Sequence, residues 1–89
     1  MSASIYIFFL PSCPYCNKIK PHLERVWTEF KDKAKFYMVD ASDTKLKGYV
    51  EKYKVKEAPS FVVDRPGMEP VTIQTANADV LIEKIKALL

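Results

Sequence analysis

Cys13 and Cys16 are the only cysteines in the chain, and they stand around Pro14 and Tyr15 in a Cys-x-x-Cys arrangement. Two thiols at that spacing can close a small disulfide and be reopened by a second dithiol. The thiolate is the attacking species in such exchange, so what matters is which position favours it. An apolar run, Ile5 to Leu10, ends just before the pair, and a helix-like pattern begins just after it. That puts Cys13 at a helix N-terminus, where unpaired N–H groups and the positive dipole end favour its thiolate. Cys16 falls inside the first turn. Cys13 is therefore the expected attacking thiol and Cys16 the resolving one. Two inert thiols packed as small hydrophobes would use the same residue types, but a strand-to-helix junction argues against that. A zinc site wants about four ligands, and only His22 could join the thiols, so no metal is expected.

The elements that must hold this pair can be read around it. Ile5-Tyr6-Ile7-Phe8-Phe9-Leu10 is β-branched, aromatic and almost continuously apolar, as in a strand buried on both faces. Pro11 and Ser12 break it, and Pro14 suits a first helical turn, where its missing N–H would be unpaired anyway. Ile19, Leu23, Val26, Trp27 and Phe30 recur as one stripe of an amphipathic helix, with Trp27 read as core. Pro21 interrupts that helix and should kink it. Residues 35–40 read as a second strand. Ser42 or Asp43 can cap a short helix that buries Leu46, Tyr49, Val50 and Tyr53. Residues 60–63 form a third strand, and Arg65-Pro66-Gly67-Met68 has Pro and Gly where a type II turn wants them. Val71 and Ile73 alternate with Thr72 and Gln74 in a fourth strand, closing a hairpin. Asn77 caps the last helix, with Leu81, Ile85 and Leu88 on one face. The order β-α-β-α-β-β-α predicts one α/β domain over residues 1–89, a four-stranded mixed sheet with helices on both faces.

Composition excludes several classes. With 48% apolar and 28% charged residues, the 89-residue chain is an ordinary globular domain with a modest core. The net charge of +3 comes from lysines spread along the chain, with no basic block for nucleic acid or a membrane surface. No Lys or Arg precedes the short apolar run, so no secretion leader is read there. No stretch reaches the roughly 18 apolar residues of a membrane span. Two cysteines are too few for a secreted disulfide scaffold. The expectation is a cytoplasmic protein acting as a monomer, without nucleic-acid or membrane partners.

With Cys-x-x-Cys at the first strand–helix junction, this layout resembles the thioredoxin superfamily over nearly the whole chain. Cys13-Pro14-Tyr15-Cys16 is the tetrapeptide typical of glutaredoxins. Pro21, five residues past the second cysteine, is similar to thioredoxin, as are the run from Lys52 to Pro59 and the spacing from Pro59 to Asn77. The resemblance implies a thioredoxin-like fold and a thiol–disulfide oxidoreductase reducing protein disulfides through a mixed disulfide on Cys13 that Cys16 resolves. It implies a cis bond before Pro59, with the Ala58 backbone offered to an extended substrate. The substrate groove it implies is formed by Pro14, Tyr15, Ala58, Pro59 and Gln74. No bound organic cofactor is implied: the redox-active group is the Cys13–Cys16 disulfide, recharged by a thioredoxin-type flavoprotein reductase or by glutathione.

The departures from the family pattern carry information of their own. Ile7 stands where thioredoxins place a buried acid, and Leu10 where many glutaredoxins carry a lysine. No Gly-Gly pair follows the fourth strand, and Gln74 replaces a glycine that faces the active site in thioredoxins. Together they imply a preference for protein disulfides over glutathione. The alternatives are a glutathione-dependent glutaredoxin and a redox-inactive binding or chaperone module of the same fold. Lys54 and Lys56, close to Pro59 in sequence, read as solvated charges able to steer an anionic partner.

Overall fold

The computed structural model describes residues 3–89. β1 (Ala3–Phe9) pairs in parallel with β2 (Ala34–Asp40) on one side and antiparallel with β3 (Ser60–Asp64) on the other. β4 (Val71–Ile73) pairs antiparallel with β3, so the sheet order is β2-β1-β3-β4. An interior strand must be apolar on both faces, which is what the β1 run supplies. Ile5 and Ile7 point into one core with Phe61, Val63 and Ile73, while Phe8 points into a second with Val39 and Val62. α1 (Pro14–Ile19), α2 (Leu23–Phe30) and α4 (Ala78–Leu88) cover the first core; α3 (Lys47–Lys52) lies over the second. This is the expected four-stranded mixed sheet with helices on both faces.

Pro21 divides the first helical segment as its missing N–H dictates: α1 and α2 are joined by a 3-10 turn, Lys20–His22. Ile19, Leu23, Val26 and Phe30 still face one core across the break, but Trp27, at the edge of that stripe, is not core. It is 47% exposed with the Lys31 ammonium over its ring, while Val26 and Phe30 turn inward. On α3 a similar correction applies to Tyr49. Leu46, Val50 and Tyr53 pack against the second core, but Tyr49, one step round the helix, is exposed and leans on Tyr6. Of the two candidate caps, Asp43 is the one used, accepting a hydrogen bond from the Lys45 N–H. The Asn77 side chain accepts from the N–H groups of Asp79 and Val80 at the start of α4. In the hairpin turn Gly67 takes φ +72° and the Met68 N–H bonds to the Arg65 carbonyl, the geometry of a type II turn.

α3 ends in an unexpected way. Lys54 adopts φ +54°, the Lys54 N–H bonds to the Glu51 carbonyl and the Val55 N–H to the Val50 carbonyl. These two bonds are those of a Schellman cap, with a lysine where glycine is usual. The accompanying apolar contact is present too, since Val50 and Val55 pack against the same core. The cap turns the chain toward Ala58 and Pro59.

Candidate functional site

β1 stops at Phe9, and a turn closed by the Cys13 N–H to Leu10 carbonyl bond brings the chain round to α1. Cys13 is the N-cap of α1, with extended φ and ψ, and Pro14 occupies the first helical position. Capping is done by sulfur: Cys13 Sγ accepts the Cys16 backbone N–H at 3.3 Å. Cys13 Sγ also lies 3.4 Å from the Ala58 carbonyl oxygen, to which the protonated thiol donates. The Ala58–Pro59 bond is cis, Pro59 is buried, and the buried Ser60 hydroxyl donates to the Glu57 carbonyl across this loop.

The two thiols, both free, are pushed in opposite directions. Cys13 is held below the ordinary thiol value, first by the hydrogen bond from the Cys16 side chain and then by the Cys16 backbone N–H. Cys16 is only 6% exposed, and its thiol is pushed up, first by burial and then by donating to Cys13. As pH rises, the pair therefore loses its first proton from the accessible sulfur and keeps the one on the buried sulfur longer.

Behind Cys16 lies a hollow of about 250 Å³. Ile7 and its strand partner Met38 form the floor, Leu10 and Pro11 one wall, and Cys16 and Lys20 the other. Pro59 reaches its rim. Among the described residues no Asp, Glu or His lines it, so none of them places a carboxylate or imidazole there to take the Cys16 proton. Among the described residues no three His, Cys, Asp or Glu side chains converge as a metal site.

Of the residues singled out in the sequence, the structure brings Cys13, Cys16, Ala58 and Pro59 together, with Pro14 and the 64% exposed Tyr15 on the first turn of α1. Gln74 does not join the hollow. Ile73 turns into the core opposite Phe61, and the next residue, Gln74, is exposed and lines a separate shallow hollow with Lys84 and Leu88. Sequence reasoning did not single out Met38 and Lys20. The available signals were an apolar residue near the carboxyl end of the second parallel strand, and a lysine at i+4 from Cys16.

Comparison with known proteins adds three findings. A family model described as Thioredoxin matches residues 2–87. A "Thioredoxin H-type" protein of Fagopyrum esculentum is 38% identical over 73 residues, which are 82% of this chain. The chain spans 60% of that relative's own length. Among solved structures, a thioredoxin of Fasciola hepatica superposes with a TM-score of 0.82 at 28% identity, covering 97% of this chain and 80% of that one. The germline-specific thioredoxin Deadhead of Drosophila melanogaster superposes at 0.85 with 20% identity, covering 99% and 82% of the respective chains, a likeness of fold.

Proposed function

This chain belongs to the thioredoxin family, and from that membership we propose that it is a thiol–disulfide oxidoreductase reducing protein disulfides through Cys13. The observation that carries the reading is the opposed pair: an accessible sulfur whose thiolate is favoured by the Cys16 side chain and N–H, backed by a buried thiol whose deprotonation is disfavoured. The Cys13 thiolate attacks one sulfur of a substrate disulfide. A Cys13–substrate bond forms, the substrate S–S bond breaks, and the first substrate sulfur leaves as a thiolate that takes a proton from water. Cys16 then loses its proton and attacks Cys13 Sγ. The Cys13–Cys16 disulfide forms, the second substrate thiol departs, and two electrons have passed to the substrate. The Ala58 carbonyl beside Cys13, the cis Pro59, and Pro14 and Tyr15 on the first turn support a groove for an extended segment there. Recharging the disulfide takes two electrons, from the dithiol of a thioredoxin-type flavoprotein reductase in this reading, with two molecules of glutathione, leaving as their disulfide, the alternative that would make the protein a glutaredoxin.

Two measurements test this. Cys13 should be alkylated far faster than Cys16, its rate rising at a pH below the ordinary thiol value while that of Cys16 rises above it. Cys16→Ser should accumulate a mixed disulfide with oxidised insulin or another disulfide protein, and Cys13→Ser none. Equal trapping by the two variants removes the role assignment. Efficient turnover of glutathione mixed disulfides, with protein disulfides and reductases ignored, selects the glutaredoxin alternative. Among the described residues no helix is long and apolar enough to cross a membrane.

A further inference from the structure

The hollow behind Cys16 is more than a consequence of burial. It opens near the carboxyl ends of the parallel strands β1 and β2, the end of a sheet where open α/β folds place ligands. Its volume of about 250 Å³ equals that of about eight water molecules at roughly 30 Å³ each in the liquid, room for one large side chain. The lining is mostly apolar, and part of it faces water: Leu10 is half-buried, Pro11 exposed and Met38 53% exposed. Covering such surface is favourable in proportion to its area. Among the described residues lining the hollow, only Lys20 is charged. It sits one helical turn from Cys16, and Lys18 adds a second positive charge to the same exposed helix end. An apolar cup with a cationic rim complements an apolar group attached close to a carboxylate. Cys16 and Pro59 both border the cup, so whatever fills it lies against the resolving cysteine, whose N–H bonds to the Cys13 sulfur where a substrate would be joined.

We propose that this hollow is a specificity subsite for polypeptide substrates in which a bulky apolar residue stands next to an acidic one near the target cysteine. This rests on the oxidoreductase reading above. The apolar side chain enters against Ile7, Leu10 and Met38, and the neighbouring carboxylate meets the Lys20 ammonium. The covalent step is unchanged; the subsite orients the substrate disulfide toward Cys13.

The test uses disulfide peptides that differ only in the two residues beside the cysteine: Leu-Glu, Leu-Lys and Ser-Glu. Wild-type protein should show kcat/KM for Leu-Glu about tenfold above Ser-Glu and about threefold or more above Leu-Lys at low salt. Lys20→Glu should invert the order of Leu-Glu and Leu-Lys. Met38→Glu, on an exposed edge strand, should erase the preference for Leu, and Lys84→Glu on α4 should leave the order as in wild type. A second measurement needs no chemistry: the 13C methyl signal of Met38 is followed while peptides with serine in place of cysteine are added. It should move with Leu-Glu and not with a Ser-Lys peptide. Equal kcat/KM for all peptides, or a Met38 signal that is static or moves alike with each, overturns the proposal. If no peptide is reduced while the Met38 signal still answers to Leu-Glu alone, the subsite stands and the oxidoreductase reading falls.

Discussion

Under α1, α2 and α4, β1 and β2 meet the thiol pair with hydrocarbon and thioether, Ile7 beside Met38. On the opposite face, under α3, the same two strands present Tyr6 and Tyr37, stacked with ring centroids 5.0 Å apart, and Tyr53 and Tyr49 close on Tyr6 at 4.9 and 5.7 Å. Both faces bury apolar surface, yet they treat polar atoms differently. The Tyr53 hydroxyl donates to Asp64 Oδ2 at 2.6 Å, and burial together with that bond pushes the phenol far up, out of any titration in the working range of pH. Cys16 is as deeply placed, but the side chain it donates to is Cys13, itself a reacting thiol. A buried polar group with a firm partner is held in one protonation state and contributes stability. One left among apolar neighbours stays on the edge of reaction, and the fold puts that group where the chemistry is.

Exchanging the character of the two faces should show this. The largest effect is expected from Ile7→Asp, which places a carboxyl on the floor of the hollow beside Cys16. It should destabilise the reduced protein by about 3 kcal/mol through lost apolar burial and a poorly solvated polar group. It should also speed the resolving step by about tenfold or more, since a positioned base now takes the Cys16 proton. Denaturant midpoints and single-turnover decay of a Cys13 mixed disulfide measure the two; a slower or unchanged decay refutes the account of Cys16. On the other face Tyr53→Phe should cost about 1.5–3 kcal/mol by leaving half-buried Asp64 without its donor, with the pH profile of Cys13 alkylation unmoved. A change in that profile would mean the faces are coupled.

The buried first strand, the break at Pro21 and the placement of Cys13 at the helix start were legible because each follows from a local rule: an uninterrupted apolar run, a proline inside a helix, a thiol at an N-cap. Trp27 and Tyr49 were misjudged for a shared reason. Each stands next to a residue that packs into a core, Val26 or Val50, and apolar type alone does not say which of two neighbours faces inward. Ile19, Leu23, Val26 and Phe30 keep helical spacing through the Lys20–His22 turn, with Trp27 at the edge of their stripe. The hollow could not be read, since it arises where Leu10, Met38 and Lys20, remote in sequence, come together. The thiol end was thus legible as chemistry and hidden as shape.

The two regions are joined by the segment from Tyr53 to Pro59, and Lys54 is its hinge point. A lysine at φ +54° carries the left-handed penalty of about 1–2 kcal/mol that glycine avoids. The two cap hydrogen bonds and the Val50–Val55 contact hold it there. Lys54→Gly removes the penalty and adds back about 0.4–1 kcal/mol of unfolded-chain entropy, so the protein should gain about 0.5–1 kcal/mol. The Lys54 side chain is exposed and makes no ion pair among the described residues, so little else is lost. If the cap does no more than turn the chain, Lys54→Gly raises the denaturant midpoint and Cys13 alkylates at the wild-type rate. If the lysine also steers anionic partners toward Pro59, the same variant will slow encounter with an acidic protein substrate at low salt, and the difference will vanish as salt is added. A lower midpoint would show that the left-handed turn is not where the strain of this region resides.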